Sequence, residues 1–260
     1  MKKLRIALLV CLFVCVGISQ AQAALIDLYD WGFNIDGTTV DSLTLSGGVG
    51  YYAPAGGDFA GLGGSIDTSA FDFSNGYQSG GGLGSLSITI TGAGVHFVGA
   101  FFDHEIDEAI NGFSNETGSV SGSPAVGQAW EIDEPGYVNG DIFENFQSSA
   151  LDNGIGTSVY GDTSFPEDVS VAMGWNFSLN AGDTATIDFI LSDLVVPAGF
   201  YLTHADPDSS ANIYFSGNLT VTPGGEVPEP CTMLLLGTGV LGLLGLGRKK
   251  FKKITFHSSP

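Results

Sequence analysis

An antiparallel all-β fold, a β-sandwich of jelly-roll-like type, is predicted for the middle of this chain, and three observations predict it. Apolar and polar residues alternate with period 2 between Gly, Asn, Asp and Pro punctuation, and no amphipathic helical stretch interrupts them. Gly is abundant, at 39 of 260 residues, without a collagen-like period. Hydrophobic residues at 43% and charged residues at 14% supply a core and argue against disorder. One domain over residues 24–225 is the simplest count, with two smaller sandwiches as the alternative.

In chain order, residues 1–5 carry three positive charges, residues 6–18 form an apolar run, and Ala21 and Ala23 make an A-x-A site. That is the pattern of a secretory signal peptide over residues 1–23, cleaved so that the mature chain starts at Ala24. Residues 25–45 are expected to supply the opening strands. Residues 47–84 are Gly-rich, dotted with Tyr51, Tyr52, Phe59, Phe71, Phe73 and Tyr77, and lack strict alternation. They read as a long surface excursion whose aromatics could stack on sugar rings.

Leu86, Ile88 and Ile90 alternate with Ser85, Ser87, Thr89 and Thr91, as in a half-buried strand. Residues 94–102 are apolar on both parities, as a central strand covered on each face would be. Val169, Val171, Met173, Trp175, Phe177 and Leu179 alternate, as do Ala185, Ile187, Phe189 and Leu191. The turn Asn180-Ala181-Gly182-Asp183 between them predicts a hairpin with one face to the core and one to water. Residues 200–203, 213–215 and 219–221 read as closing strands.

Charge is segregated along the chain. All eight Lys and Arg lie within residues 2–5 and 248–253, whereas all 28 Asp and Glu lie between Asp27 and Glu229. Such a middle region has nothing to neutralise phosphates, which excludes nucleic-acid binding. The cysteines are Cys11, Cys15 and Cys231, so residues 24–225 have no thiol for disulfides, thiolate catalysis or zinc.

Carboxylates cluster at Asp103, Glu105, Asp107 and Glu108, at Glu131, Asp133 and Glu134, and at Asp206 and Asp208. Hard oxygen ligands on loops between strands suit Ca²⁺, although neither the EF-hand nor the nonapeptide repeat is matched. A solvated acidic loop is the alternative for each cluster. Carboxylates in this number, with no Lys or Arg among them, call for some form of screening. His96, His104 and His204 are the imidazoles of the region, but H-E-x-x-H, G-x-S-x-G, Walker A and dinucleotide motifs are absent. No catalytic residue is assigned.

Near the C-terminus, Val227-Pro228-Glu229-Pro230 precedes an apolar run at residues 231–247 and the basic cluster Arg248, Lys249, Lys250, Lys252 and Lys253. As a helix the run measures ~26 Å against a ~30 Å hydrocarbon core, so it reads as a single transmembrane span of the inner membrane. The basic side stays cytoplasmic and the domain lies outside.

Motif, span and basic end in this order resemble the PEP-CTERM sorting signal of Gram-negative bacteria, over residues 226–253, with 254–260 as a short tail. The resemblance implies delivery by the secretion machinery and processing near Pro228-Glu229-Pro230 by an exosortase, a membrane-embedded cysteine protease or transpeptidase. Cys231 stands where small or hydroxyl residues are more usual in such tails. The setting implied is the cell surface or the extracellular polysaccharide matrix. The expectation is therefore a non-enzymatic exported protein associated with polysaccharide or Ca²⁺. A polysaccharide hydrolase using paired carboxylates and a self-assembling structural adhesin are the alternatives.

Overall fold

Alternating side chains produce eleven strands among the described residues: β1 (Ile26–Ile35), β2 (Thr38–Asp41), β3 (Ser65–Phe71), β4 (Gly84–Thr91), β5 (Gly94–Ile106), β6 (Thr117–Ser121), β7 (Gln128–Asp133), β8 (Ser170–Leu179), β9 (Thr184–Ser192), β10 (Tyr201–Asp206) and β11 (Ala211–Thr222). Three short helices, α1 (Ser42–Ser46), α2 (Glu108–Asn111) and α3 (Ile142–Gln147), lie between them. The computed structural model describes residues 24–55, 57–74, 76–112, 115–136, 139–156, 168–225 and 238–239. The predicted signal peptide, the Pro-Glu-Pro motif, the basic cluster and all but two residues of the predicted span lie outside these. No helix among the described residues is long and apolar enough to cross a membrane.

The strands form two antiparallel sheets, ordered β2-β1-β5-β8-β7 and β3-β4-β9-β11-β10-β6, in an all-β, sandwich-like arrangement. The first turn shows how local chemistry sets register. Asp36 and Gly37 connect β1 to β2 with φ of 54° and 81°, the paired positive values of a two-residue hairpin loop that Asp-Gly adopts readily.

Between the sheets, Phe33, Val98, Phe102, Met173 and Trp175 from the first meet Leu86, Ile88, Ile187, Phe189 and Phe215 from the second in one buried cluster. A second cluster lies on the other side of the five-stranded sheet, where Ile142 and Phe146 of α3, with Leu151, cover Phe97, Phe101, Ala129 and Ala172. β5 is therefore covered on both faces, as its double-parity apolar pattern predicts.

Three expectations change. β8 and β9 both form, but they do not pair: β8 lies between β5 and β7, and β9 between β4 and β11. The Asn180–Asp183 turn carries the chain from one sheet to the other, so the two apolar rows meet across the core rather than edge to edge. Alternation specifies which face of a strand is buried and leaves its neighbour open. The outer parity of β8 is also not left to water, because Ser170, Ala172 and Gly174 are buried. Finally, residues 47–84 contain strand β3, and Phe59, Phe71 and Phe73 pack into the core around Trp31 and Phe102. Tyr77, at 54% exposure, is the one large aromatic of that stretch recorded as exposed among the described residues.

The two sheets approach closely at Gly217 of β11, where a Cβ would stand 2.6 Å from the Trp175 ring and 3.0 Å from the Asp188 carbonyl oxygen of the neighbouring strand. Gly217→Ala is expected to destabilise by about 1–3 kcal/mol through overpacking, read as a lower urea midpoint.

Candidate metal centre

The outward parity of the five-stranded sheet is apolar at its middle and acidic at one end. Strand register aligns Asp30 of β1 with Asp103 of β5, Asp103 with Ser170 of β8, and Ser170 with Asp133 of β7. Directly paired residues share a face, so this is a transverse row across four strands. Glu105 and Glu131 continue it at i+2 and i−2 of their strands. Of the predicted ligands, Asp103, Glu105, Glu131 and Asp133 thus lie on strands rather than on loops. Period-2 spacing brings each pair to one face.

Two groups of three carboxylates result. Asp103 and Glu105 are joined by Asp168, just ahead of β8, and Glu131 and Asp133 by Asp141, just ahead of α3; within each group the ligand oxygens lie within 4.8 Å of one another. Asp168 and Asp141 are not singled out in the sequence, because Asp168 is joined only by Glu167 and Asp141 has no acidic residue beside it. Asp168 does share the parity of Ser170, which faces Asp103, and that alternation is the signal that could have found it.

The other predicted ligands serve the chain itself. Asp107 accepts the Leu25 backbone N–H at 2.7 Å, and Glu108 accepts the Tyr51 hydroxyl at 2.7 Å. Asp206 accepts the N–H groups of Asp208 and Ser209, and Asp208 accepts the Asn115 amide at 2.8 Å. Glu134 is buried beside the second group without belonging to it.

The two groups differ in their hydrogen bonding. Around Glu131 and Asp133 the protein supplies donors: Asn145 Nδ2 to Glu131 at 3.0 Å, Asp152 N to Glu131 at 3.1 Å, and Asp141 N to Asp133 at 3.1 Å. One oxygen there, Asp133 Oδ1, is buried without a partner. Around Asp103, Glu105 and Asp168 the single donor among the described residues is Ser170 Oγ, 2.9 Å from Asp103 Oδ1. Both Glu105 Oε2 and Asp168 Oδ1 are buried with no partner.

Burial, reinforced by Asp168 and Glu105, raises the Asp103 carboxyl well above its ordinary value. Burial, then the charges of Asp168 and Glu116, pushes Glu105 up to about 9, and burial with Glu116 pushes Asp168 up to about 7. Burial likewise raises Glu131 to about 7, against the opposing pull of its hydrogen bonds. No cation of the domain relieves this. Residues 24–225 contain no Lys or Arg. His96 is paired with Asp36 at 2.8 Å, while burial lowers His104 and His204 to about 3, leaving them neutral. His104 Nε2 donates to the Gly82 carbonyl at 2.9 Å, and a Cβ at Gly82, whose φ is +79°, would collide with that ring. Both groups could hold a hard divalent ion through oxygen alone, and neither includes the nitrogen or sulfur ligands typical of zinc.

Behind this end, Glu116 ties the sheets together. Its Oε1 accepts the Ile106 N–H at 3.1 Å from β5, and its Oε2 accepts the Val169 N–H at 3.2 Å and lies 2.6 Å from His204 Nε2 of β10. Burial raises the carboxyl and lowers the imidazole, so a single proton lies between two otherwise neutral groups.

No curated protein and no solved structure matches the chain. The profile described as the PEP-CTERM protein-sorting motif matches residues 226–249, immediately after the last strand leaves the sheet. That motif implies export, a membrane-anchored precursor and an exosortase as processing partner. The chain is accordingly a PEP-CTERM protein by its sorting signal, which follows an all-β domain and implies an exosortase as the processing partner.

Proposed function

We propose that the domain is a non-enzymatic binder working outside the inner membrane, at the cell surface or in the extracellular matrix, and that its acidic face takes up Ca²⁺ and through it holds anionic polysaccharide. The observation that supports this reading is the acidic face itself. Six carboxylates in two groups stand at one end of a sheet in a region with no Lys or Arg. Desolvating carboxylates costs several kcal/mol each unless a proton or a cation compensates them. Outside the cell Ca²⁺ is the abundant cation with the right oxygen preference, and partly filled coordination leaves positions for polymer carboxylates. The sugar-stacking role first assigned to residues 47–84 loses its support, because most of those aromatics pack inward.

Thermal unfolding of the full-length protein in non-ionic detergent, with Ca²⁺ and with chelator, tests it. Calcium at a hundredfold excess over Kd adds about 2.7 kcal/mol, or roughly 5 to 10 °C in Tm for a domain of this size. Retention on an immobilised polyuronate should then require Ca²⁺ and disappear with chelator. A Tm indifferent to Ca²⁺, at fixed ionic strength, would remove the reading.

A further inference from the structure

The two acidic groups look alike in composition, yet they have unequal need of an ion. In the Glu131 group both oxygens of Glu131 and one of Asp133 already accept protein N–H donors, so the protein's own dipoles solvate most of it, and Asp133 Oδ1 is the one oxygen of the three residues left buried without a partner. Asn145 and Asp141 belong to the segment that carries α3, and these bonds fasten that helix over Phe97 and Phe101. In the Asp103 group a single hydroxyl among the described residues serves three carboxylates. Glu105, 6% exposed, directs an unpartnered buried oxygen into a space it shares with two other acids, and Asp168 does the same. Buried oxygens without donors are the feature expected where a ligand is to supply the missing positive charge.

We propose that the domain carries one calcium centre, formed by Asp103, Glu105 and Asp168, and that the Glu131–Asp133–Asp141 group is an internally bonded fastening for α3 that takes no ion. This rests on the reading of the acidic face as a calcium binder and assigns the ion within it. Asp103 and Glu105 come from the middle of the sheet, whereas Asp168 lies on the segment leading into β8. An ion here therefore ties that segment to β5. Calcium ordinarily takes six to eight oxygens, so three carboxylates leave coordination positions for water or for the carboxylates of a polymer.

The test uses the full-length protein in detergent, with Glu105→Gln, Asp168→Asn and Asp133→Asn each compared with the unsubstituted chain. Calorimetric titration with CaCl₂ is expected to give one ion per chain. Glu105→Gln and Asp168→Asn should weaken calcium binding more than about tenfold and abolish the thermal shift, because each removes a charged ligand. In chelator both should melt at or above the temperature of the unsubstituted protein, since a neutral amide needs no proton uptake or cation to be buried among the other acids, and that shows they fold. Asp133→Asn should leave calcium affinity within about twofold, being outside the coordination sphere. Two ions per chain, a shift that survives Glu105→Gln, or a shift lost in Asp133→Asn would overturn the assignment while leaving calcium binding standing. No response to calcium in the unsubstituted protein would instead remove the reading on which it rests.

Discussion

Replacing Glu116 by alanine is expected to cost about 3–5 kcal/mol, because several buried groups lose their hydrogen-bond partner at once, each at about 1–3 kcal/mol and not fully additively. Three groups depend on that carboxyl: the Ile106 N–H, the Val169 N–H and His204 Nε2. They belong to both sheets, so the damage is shared between them. His204 Nδ1 already lacks a partner, and the substitution would leave the whole imidazole buried without a hydrogen bond. Glu116→Gln keeps the shape but turns an amide N–H toward at least one donor, and it should cost about 1–3 kcal/mol. Urea unfolding of the full-length protein measures both. Because Val169 directly follows Asp168, the alanine variant should also lose part of any calcium-induced stabilisation, whereas Gly217→Ala should lower stability and leave the calcium increment intact.

A second large effect is expected from pH, marked in chelator and largely cancelled by calcium. In chelator, stability should fall as pH rises from about 6.5 to about 9. Glu105, raised to about 9, holds a proton in the folded state that the unfolded chain releases near its ordinary value of 4.5. The folded protein then binds more protons than the unfolded chain, and the stability that proton contributes, full below 4.5, is lost as pH climbs through about 9.

Asp168 and Glu131, each raised to about 7, add to the fall at its lower end. His104 and His204 act in the opposite direction, because burial lowers them, but only between about 3 and their ordinary 6.5. Above 6.5 the carboxyls act without that opposition. One group over this window amounts to about 3 kcal/mol at 1.36 kcal/mol per pH unit. Calcium must displace those protons to bind, so its own contribution grows as pH rises. Melting curves in calcium and in chelator should therefore diverge from pH 6.5 to 9. Parallel curves would mean that no cation competes with the protons.

What could be read in the sequence was governed by periodicity. Leu86, Ile88 and Ile90 identify the buried face of β4 without ambiguity, and the double-parity apolar run in β5 identifies a strand covered on both sides. β8 and β9 show the limit, since alternation sets which way a side chain points and carries no information about which strand lies alongside. α3 escaped notice because a helix of under two turns shows only Ile142 and Phe146 as a pattern.

In the acidic face, the pairs Asp103 with Glu105 and Glu131 with Asp133 were visible as runs. Their i, i+2 spacing was the more specific clue, because it puts both on one face of a strand and sends the intervening residues elsewhere. Asp168 and Asp141 become neighbours of these pairs only through long-range pairing and through the segments leading into β8 and α3. For Asp168 the one local hint is its shared parity with Ser170, and for Asp141 no local pattern announces it.

The position of Gly224 gives the molecule an orientation. Its N–H donates to Asp183 Oδ1 at 2.9 Å, so the chain leaves the second sheet beside the turn that ends β8. Ser170, at the other end of β8, lies in the acidic row, and ten residues of strand separate the two by about 30 Å. The domain has two poles, one carrying the tether and one carrying the carboxylates. The sorting motif implies a membrane-anchored precursor, and in such a precursor the anchor would follow the tether pole while the carboxylates stand at the far end of the domain.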